Sequence, residues 1–342
     1  MGAPSIVYES CVRTKSLAAS CSACVSVCPT GAISISGLRG SVVIDLAKCT
    51  ACGLCPSVCP TEAVKGFDPS SLLASRPERV RCGEQGLPCA GSLCVEDLAT
   101  LALSATSGTL RVELPEDCRV AVPGHSTARA RAREAALFVT GLGIRATIEI
   151  LDVGGSGPDG RRRLFGDLLG ALQGAPDPVA MPARLDRERL RMPTVTERRK
   201  RLLATLPPSL SSEAWVPEAA LGFVSSKRID IDKCTACSMC TDSCPTGALT
   251  RTRLKDQIRF DTSVCVKCQL CHDVCEPQAI TLSPATSIHD VLARAPALLA
   301  RLPIVLCGEC GAPFKTEAPD EAQCPRCRAL DEEARDLTGV RG

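Results

Sequence analysis

The pattern of hydrophobic and polar positions predicts a small α/β layer in the middle of the chain. Residues 79–82, 109–114 and 144–153 (RVRC, TLRVEL and IRATIEILDV) alternate apolar and polar side chains, which is typical of strands. Between them, residues 92–105 and 126–143 have helical patterns, and the second helix should end at the sequence GLG. The order strand, helix, strand, helix, strand favours parallel pairing in one sheet.

A second pattern recurs around the cysteines on either side of this layer. The alternating segments SVVID, RIDID and QIRFD lead into three cysteine motifs and predict strands. The related segments PTGAI, PTEAV, PTGAL and EPQAI follow the last cysteine of four motifs. This fourfold recurrence predicts a duplicated domain.

The chain becomes basic between Arg161 and Arg201, where eleven Lys and Arg residues accompany five Asp and Glu residues. Part of this segment has one apolar helical face. That face consists of Leu164, Phe165, Leu168, Leu169 and Leu172. We interpret the segment as a solvated, Arg-rich helical connector, and the alternative is a docking surface for an acidic partner.

Composition narrows the possible functions. The 342 residues suffice for two or three domains, and the balance of 40 basic against 38 acidic residues, with 2% aromatics, disfavours nucleic-acid binding. Neither the apolar core of a signal peptide nor an apolar run of about 18 residues occurs, so we expect a cytoplasmic protein without membrane insertion. The 24 cysteines then indicate iron–sulfur clusters or metal centres, since disulfide frameworks belong to small secreted proteins.

Two cysteine motifs are fully regular. They read Cys49-x2-Cys52-x2-Cys55-x3-Cys59-Pro60 and Cys234-x2-Cys237-x2-Cys240-x3-Cys244-Pro245. Three closely spaced thiolates can surround one face of a 4Fe–4S cube, while the fourth points its sulfur toward a different cube. The proline suits the first turn of a helix, where its missing N–H costs nothing.

Each regular motif has a companion. Cys265-x2-Cys268-x2-Cys271-x3-Cys275 follows the later motif, and Cys21-x2-Cys24-x3-Cys28 precedes the earlier one. The interval from Cys28 to Cys49 equals that from Cys244 to Cys265. Cys11 supplies the missing first ligand, with nine intervening residues where the other motifs have two. Removing these seven extra residues makes the two pairs equally spaced.

Together the motifs resemble the two-cluster bacterial ferredoxin family, present twice and covering roughly 60 residues each time. The resemblance implies four cross-ligated 4Fe–4S clusters, numbered 1 to 4 below. The implied ligand sets are Cys11, Cys21, Cys24 and Cys59 for cluster 1, Cys49, Cys52, Cys55 and Cys28 for cluster 2, Cys234, Cys237, Cys240 and Cys275 for cluster 3, and Cys265, Cys268, Cys271 and Cys244 for cluster 4. Zinc ligands or free thiols are the alternative, which the spacing disfavours.

Two departures from the family pattern stand out. The insertion between Cys11 and Cys21 should form a loop over cluster 1, exposing the cluster to a partner or altering its potential. Cys275 is followed by Glu276 before Pro277, so the usual proline is displaced by one position. This changes the entrance to the helix without removing a sulfur ligand.

The C-terminal tail contains two further pairs of cysteines. They are Cys307, Cys310, Cys324 and Cys327. Two short knuckles with two thiolates each suit tetrahedral zinc, and the tail resembles a zinc ribbon. A rubredoxin-like mononuclear iron site and an unmetallated tail are the alternatives. Four cysteine ligands leave no open position for catalysis, so we expect a structural role.

Four cysteines of the middle segment fit no known spacing: Cys82, Cys89, Cys94 and Cys118. They form a candidate extra metal or cluster site, and buried structural thiols or a redox-active pair are the alternatives. His125 precedes a predicted helix, so we interpret it as a loop residue near the helix cap. The sequence GGSGPDG at 154–160 lacks a phosphate-loop lysine and is interpreted as a linker.

The predicted fold class is α+β, with two ferredoxin-type (βαβ)2 dicluster domains, an intervening small α/β domain with a helical linker, and a C-terminal zinc ribbon. The predicted boundaries are 1–68 and 223–286 for the ferredoxin domains, 69–155 for the α/β domain, 156–222 for the basic linker and 287–342 for a helix plus the ribbon. The α/β part weakly resembles portions of ferredoxin-type subunits that dock to hydrogenases or heterodisulfide reductases.

The expected function is electron transfer without a catalytic site of the chain's own. Four clusters indicate a polyferredoxin that relays single electrons between redox partners of the reductase, dehydrogenase or hydrogenase type. One alternative is an iron–sulfur subunit of a larger oxidoreductase whose catalytic centre lies on another chain. A redox sensor is a further alternative, although sensing needs only one labile cluster.

Overall fold

The computed structural model describes residues 3–38, 40–116, 122–154, 178–318 and 323–338. In the first of the two predicted ferredoxin domains, called the first unit below, short helices lie between two antiparallel strand pairs. The elements are β1 (Ser5–Ile6), α1 (Val12–Lys15), α2 (Ala23–Val27), β2 (Ile33–Ser36), β3 (Ser41–Ile44), α3 (Leu54–Val58) and β4 (Val64–Lys65). β1 pairs with β4 and β2 pairs with β3. Val42 and Ile44 of β3 are buried and their neighbours less so, as the alternating pattern predicts.

A three-stranded sheet forms the middle of the chain. Its elements are α4 (Ser70–Ser75), β5 (Arg79–Arg81), α5 (Val95–Ser104), β6 (Thr109–Pro115), α6 (Val122–Gly141) and β7 (Thr147–Val153). The strands lie in the order β5-β6-β7 and both pairings are parallel, so the predicted order and pairing are confirmed. Leu110, Val112 and Leu114 of β6 point into a core that α5 and α6 cover.

The connector between this layer and the second ferredoxin unit contains α7 (Arg187–Arg191), α8 (Glu197–Thr205) and β8 (Trp215–Pro217). Leu202 and Leu206 pack into the core of the α/β layer. Arg198 and Arg199 are buried as well. The prediction of a solvated connector is therefore wrong for α8, because its arginines find buried partners inside the molecule. The predicted apolar face from Leu164 to Leu172 lies outside the described residues.

The second ferredoxin unit follows the plan of the first and adds strands. Its elements are β9 (Lys227–Ile229), α9 (Met239–Asp242), β10 (Leu249–Arg251), β11 (Gln257–Phe260), α10 (Leu270–Asp273), β12 (Ile280–Leu282), β13 (Ala285–Ser287), α11 (Ile288–Ala293) and β14 (Ala297–Arg301). β9 pairs with β12, and β10 pairs with β11, as in the first unit. β14 extends the hairpin to three strands, and β13 pairs with β8 of the connector.

The tail consists of a hairpin followed by a helix. The elements are β15 (Ile304–Leu306), β16 (Pro313–Lys315) and α12 (Pro325–Thr338). One predicted cysteine pair follows β15, and the other begins α12. Neither α12 nor any other helix of the described ranges combines the length and apolar character required to cross a bilayer.

Candidate metal centres

The backbone repeats the same turn four times after the fourth cysteine of each motif. Gly31, Glu62, Gly247 and Gln278 each lie three positions beyond that cysteine, and each has a positive φ between 51° and 71°. Glutamate and glutamine rarely adopt this conformation, so the local fold must impose it. The fourfold turn therefore includes the two irregular motifs, which begin at Cys11 and end at Cys275.

A second repeated backbone feature lies in the loops that carry the first three cysteines of each motif. In three motifs the residues before and after the middle cysteine have positive φ. These residues are Ala51 and Gly53, Ala236 and Ser238, and Lys267 and Gln269. In the stretched first motif the corresponding residues are Ser20 and Ser22, which precede α2 and have no positive φ. The seven-residue insertion thus accompanies a different loop conformation around Cys21.

The structure brings together the four cysteines that the resemblance implies for cluster 1. Burial, then repulsion from the thiolates of Cys59, Cys21 and Cys11, raises the pKa of Cys24 to about 12. Burial raises the pKa of Cys11 to about 11, and its charged neighbours again include Cys59 and Cys21. The structure therefore brings the displaced Cys11 and the distant Cys59 to the same place.

The cysteines that the resemblance assigns to cluster 2 form a second group around a small cavity of about 30 Å³. Cys28, Cys49, Cys52 and Cys55 all line this cavity. Burial, then repulsion from Cys52, Cys49, Cys24 and Cys28, raises the pKa of Cys55 to about 12. Since Cys24 belongs to the first group, Cys24 and Cys55 mark the place where the two groups of this unit approach each other.

The second unit shows the same arrangement around cluster 3. A small cavity of about 20 Å³ is lined by Cys234, Cys237, Cys240 and Cys275. Burial raises the pKa of Cys240 to about 12, followed by repulsion from Cys271 and from the other three. Cys240 and Cys271 therefore correspond to Cys24 and Cys55 of the first unit, the third cysteines of the earlier and the later motif.

The remaining cysteines of the second unit, which the resemblance assigns to cluster 4, also lie together. Burial, then repulsion from Cys265, Cys244 and Cys271, raises the pKa of Cys268 well above its ordinary value. Burial also raises the pKa of Cys271 to about 12, despite the nearby charge of Lys227. As in the first unit, the fourth cysteine of one motif lies with the first three of its companion.

The donor chemistry fits 4Fe–4S clusters. Buried thiols that repel one another ionise only when a cationic centre compensates their charge, and iron supplies that charge. Backbone N–H groups already point at the sulfurs, with Ala63 N donating to Cys59 Sγ and Ala279 N to Cys275 Sγ, both at 3.2 Å. Such hydrogen bonds to sulfur raise a cluster's reduction potential.

A threonine hydroxyl lies beside three of the four fourth-position sulfurs. Thr30, Thr61 and Thr246 place Oγ1 at 3.7, 3.9 and 3.9 Å from the Sγ atoms of their cysteines. At Cys275 the corresponding residue is Pro277, which has no hydroxyl. The displaced proline therefore changes the surroundings of one cluster 3 ligand.

The insertion of the first motif contacts the second unit. Val12 and Ala19 from the insertion form a buried apolar cluster with Leu270 and Val274 of α10 and its flank. Cys21 of the first unit and Cys268 of the second both pack against this cluster, which we call the junction. The predicted loop includes the helical turn α1, and its Val12 and Ala19 are buried against the second unit. That the insertion exposes cluster 1 to a partner or alters its potential stays a prediction.

Polar contacts reinforce the junction. Ser20 donates to the carboxylate of Asp273 through both its amide and its hydroxyl, at 2.9 Å each. The ammonium of Lys15 donates to the carbonyl of Leu190 at 2.5 Å. Burial lowers the pKa of Lys15, while the thiolates of Cys244 and Cys268 favour its charged form. A side chain of the first unit thus places positive charge beside cluster 4.

Two neighbouring arginines of α8, the arginine pair, hold both units. Arg199 donates to the carbonyls of Ser263 and Cys265 at 2.7 and 2.8 Å. Arg198 donates to the carbonyl of Cys59 at 2.5 Å. Both pair with Glu96 of α5, which is 2% exposed. Burial would raise the pKa of Glu96, but the arginine charges outweigh it and lower that pKa.

The sequence pattern missed this arrangement, because it showed only that residues 161–201 are basic. Nothing in the spacing distinguishes Arg198 and Arg199 from exposed Lys200. The insertion, in contrast, was visible in the sequence, and only its contact surface was not.

The sulfur atoms of the four tail cysteines all lie within 4.8 Å of one another. Among the described residues, no other group of three or more His, Cys, Asp or Glu side chains brings its ligand atoms this close together. Cys307 Sγ lies 3.8 Å from Cys327 Sγ, and Cys310 Sγ lies 3.8 Å from Cys324 Sγ. A tetrahedral site with Zn–S bonds of about 2.3 Å requires sulfurs about 3.8 Å apart. The quartet can therefore bind a metal ion with full thiolate coordination.

The candidate extra site of the middle segment is not assembled as four thiols. Cys82 and Cys89 lie together: a hydrogen bond from Cys89 lowers the pKa of Cys82 to about 6, against the effect of burial. Cys94 instead caps α5, and its thiol donates a hydrogen bond to Asp97 Oδ2 at 3.0 Å. Cys118 lies outside the described residues. The four-cysteine site stays a prediction, and the geometry supports only the pair.

His125 also differs from its predicted place. It lies in the first turn of α6, with Nε2 3.8 Å from Asp152 Oδ1, and not in a loop.

Comparison with known protein families agrees with the repeated turn and the grouped cysteines. Two families, each described as a 4Fe-4S dicluster domain, match residues 19–63 and 233–280. The chain contains two 4Fe–4S dicluster domains. The first match begins beyond Cys11, so the displaced ligand lies outside it. A search of curated proteins found no match to the chain. The two dicluster domains imply redox partners in general, without indicating their type.

Proposed function

We propose that the chain is a polyferredoxin that relays single electrons through four 4Fe–4S clusters between redox partners. The two dicluster domains support iron–sulfur electron transfer in general. We assign the ligands as the four groups of cysteines described above, with the fourth cysteine of each motif serving its companion. Each cluster would have four thiolates, so it would exchange electrons without binding a substrate at iron.

The order of the relay follows from three contacts between groups. Cys55 and Cys24 relate cluster 2 to cluster 1, and Cys240 and Cys271 relate cluster 3 to cluster 4 in the same way. Across the junction, Cys21 and Cys268 pack against the same apolar cluster. Since electron tunnelling weakens steeply with distance, we propose the order 2–1–4–3. The junction is the observation that carries this proposal.

The two ends of this order are the places where partners would exchange electrons. The cysteines assigned to cluster 2 and those assigned to cluster 3 each line a cavity. At the cluster 3 end, Cys237 is exposed, and so are the apolar side chains of Ile231, Met239 and Leu254. An apolar rim beside an exposed ligand is suited to a docked protein.

That rim favours the second candidate, in which the chain is the electron-transfer subunit of a larger oxidoreductase. A permanent partner would cover the apolar side chains, whereas a free carrier would leave them in contact with water. Anaerobic co-purification separates the two candidates. A stoichiometric partner with a catalytic cofactor favours the subunit, and a monomer that exchanges electrons with several redox proteins favours the free carrier.

The tail is proposed to bind one zinc ion that stabilises the hairpin and α12. Backbone N–H groups support the thiolates, with Cys324 N donating to Cys307 Sγ at 3.3 Å. All four ligand positions are cysteine, so the site has a structural role.

Iron, sulfide and zinc analysis of anaerobically purified protein tests the proposal. We expect about sixteen iron, about sixteen sulfide and about one zinc per chain. About eight iron would contradict the four clusters. Iron in place of zinc would correct the tail assignment alone.

A further inference from the structure

Cys82 and Cys89 are held together by a short loop at the edge of the α/β layer. Cys82 follows β5, and the amide of Gly83 donates to the carbonyl of Leu87 at 2.8 Å, which turns the chain back on itself. Cys89 then caps the 3-10 turn Ala90–Ser92. The loop therefore returns the second cysteine to the first.

Backbone amides support both sulfurs. Ala90 N donates to Cys82 Sγ at 3.2 Å, and Gly91 N donates to Cys89 Sγ at 3.4 Å. The Cys82 sulfur thus reaches the residue next to Cys89, and the two thiols are hydrogen-bonded to each other. Cys89 is 1% exposed, whereas Cys82 is partly exposed.

The pair lies against the loop that carries the cluster 2 cysteines. Cys82, Cys52 and Cys55 pack around one apolar cluster that contains Leu54 and Cys89 itself. The two backbones are so close that a Cβ added to Gly53 would lie 2.7 Å from Cβ of Ser92, and one added to Gly91 would lie 2.7 Å from a methyl carbon of Leu54. No room for solvent remains at these two contacts.

We infer that Cys82 and Cys89 form a redox-active pair, which closes to a disulfide and opens to a dithiol by exchanging electrons with cluster 2. The inference rests on the proposed function for its electron source. In the reducing direction the S–S bond breaks, two electrons arrive one at a time through cluster 2, and two protons from solvent produce two thiols. The reverse reaction forms the bond and releases two electrons and two protons.

The two sulfurs have different roles because of their exposure. Cys82 is the sulfur that a dithiol or disulfide of a partner protein can reach, since Cys89 is buried behind it. Cys89 is the resolving sulfur, which expels the partner after attack at Cys82. The pair therefore couples one-electron transfer along the clusters to two-electron thiol chemistry at the cluster 2 end.

The test is a reductive titration of the anaerobic, cluster-containing protein after mild oxidation of its thiols. The wild type should accept about six electrons, four at the clusters and two at the disulfide. The Cys82→Ser variant should accept about four. Cys94→Ser is the matched control, because its thiol bonds Asp97 away from the pair, and it should still accept about six.

Alkylation with mass spectrometry provides a second readout that does not depend on electron counting. Trypsin releases Cys82, Cys89 and Cys94 in one peptide, between Arg81 and Arg111. After oxidation only Cys94 should be alkylated on unfolding, and after reduction all three should be. If all three are alkylated in both states, no disulfide forms and the inference is wrong.

Two outcomes distinguish failure of this inference from failure of the proposed function. If a cluster other than cluster 2 is missing, the electron counts of wild type and Cys82→Ser fall together, but their difference of about two remains. If the wild type holds metal beyond about sixteen iron and about one zinc, and Cys82→Ser loses that excess, the pair binds a metal and the disulfide is excluded.

Discussion

The two ferredoxin units share one backbone plan but differ in what their first cysteine loop does. In the second unit, Cys234 and Cys237 are separated by two residues, and the loop lies at a small cavity. In the first unit, nine residues separate Cys11 from Cys21, and they contact α10 of the second unit. The comparison indicates that the insertion joins the two dicluster domains beside Cys21 and Cys268, which we assign to clusters 1 and 4.

The largest expected effect comes from removing a fourth-position cysteine in each unit. Cys59→Ala should lose cluster 1, and Cys244→Ala should lose cluster 4, each leaving about twelve iron atoms. Alkylation identifies the released ligands: Cys11, Cys21 and Cys24 in the first variant, and Cys265, Cys268 and Cys271 in the second. Release of Cys49, Cys52 and Cys55 by Cys59→Ala would contradict cross-ligation.

Within the arginine pair, Arg199 makes the contacts to the second unit, so replacing it should weaken the attachment of that unit. Arg199→Met removes four hydrogen bonds and leaves Glu96 with one arginine, which should lower the free energy of unfolding by about 3–5 kcal/mol. Urea unfolding under anaerobic conditions measures the change. The control Lys200→Met breaks an exposed pair with Glu197 and should cost less than about 1 kcal/mol. Equal effects would show that the buried ion pairs do not hold the units.

The charge of Lys15 tests whether the insertion acts on the other unit. Lys15→Met removes a positive charge near Cys244 and Cys268, so cluster 4 should become harder to reduce, by on the order of 50 mV. A potentiometric titration followed by EPR measures the shift. Lys48→Met, which removes an exposed lysine paired with Asp45, is the control and should shift the potentials less. If only the reduction potential of cluster 1 shifted, Lys15 would not lie beside cluster 4.

The smallest expected effect is a pH dependence of stability that involves α6. This helix makes hydrogen bonds close to both ferredoxin units. Arg131 donates to Gly91 O at 2.8 Å near the first unit, whereas Glu134 accepts from Gly222 and Phe223 ahead of the second. Burial raises the pKa of Glu134 to about 7 from 4.5, so the folded state binds the proton more tightly. The contribution of protonated Glu134 to the free energy of unfolding is complete below pH 4.5 and is lost as the pH rises through about 7.

Glu134→Gln should remove this pH dependence. Between pH 5 and pH 8 the wild type should lose on the order of 1–3 kcal/mol that the variant retains, as measured by urea midpoints at both values. Glu188→Gln, at an exposed position, should behave like the wild type. A wild type as stable at pH 8 as at pH 5 would show that the amides of Gly222 and Phe223 keep the carboxylate ionised.

The sequence predicted the repeated elements well because their signals are local. Cysteine spacing and the residues after each fourth cysteine predicted the four motifs, and alternation predicted β5, β6 and β7 in their order. The contact between the insertion and α10 could not be predicted, since Val12 and Leu270 are far apart in sequence. The burial of Arg198 and Arg199 depends on Glu96, and no local pattern relates these three residues.

The most direct test of the account isolates the two clusters at the junction. Cys52→Ala with Cys237→Ala should leave only clusters 1 and 4, one in each unit. When both are reduced, EPR should show magnetic interaction between them. The control Cys24→Ala with Cys268→Ala should leave clusters 2 and 3, whose signals should add as two isolated centres. If clusters 1 and 4 also gave the sum of two isolated signals, the junction would not join the units into one relay.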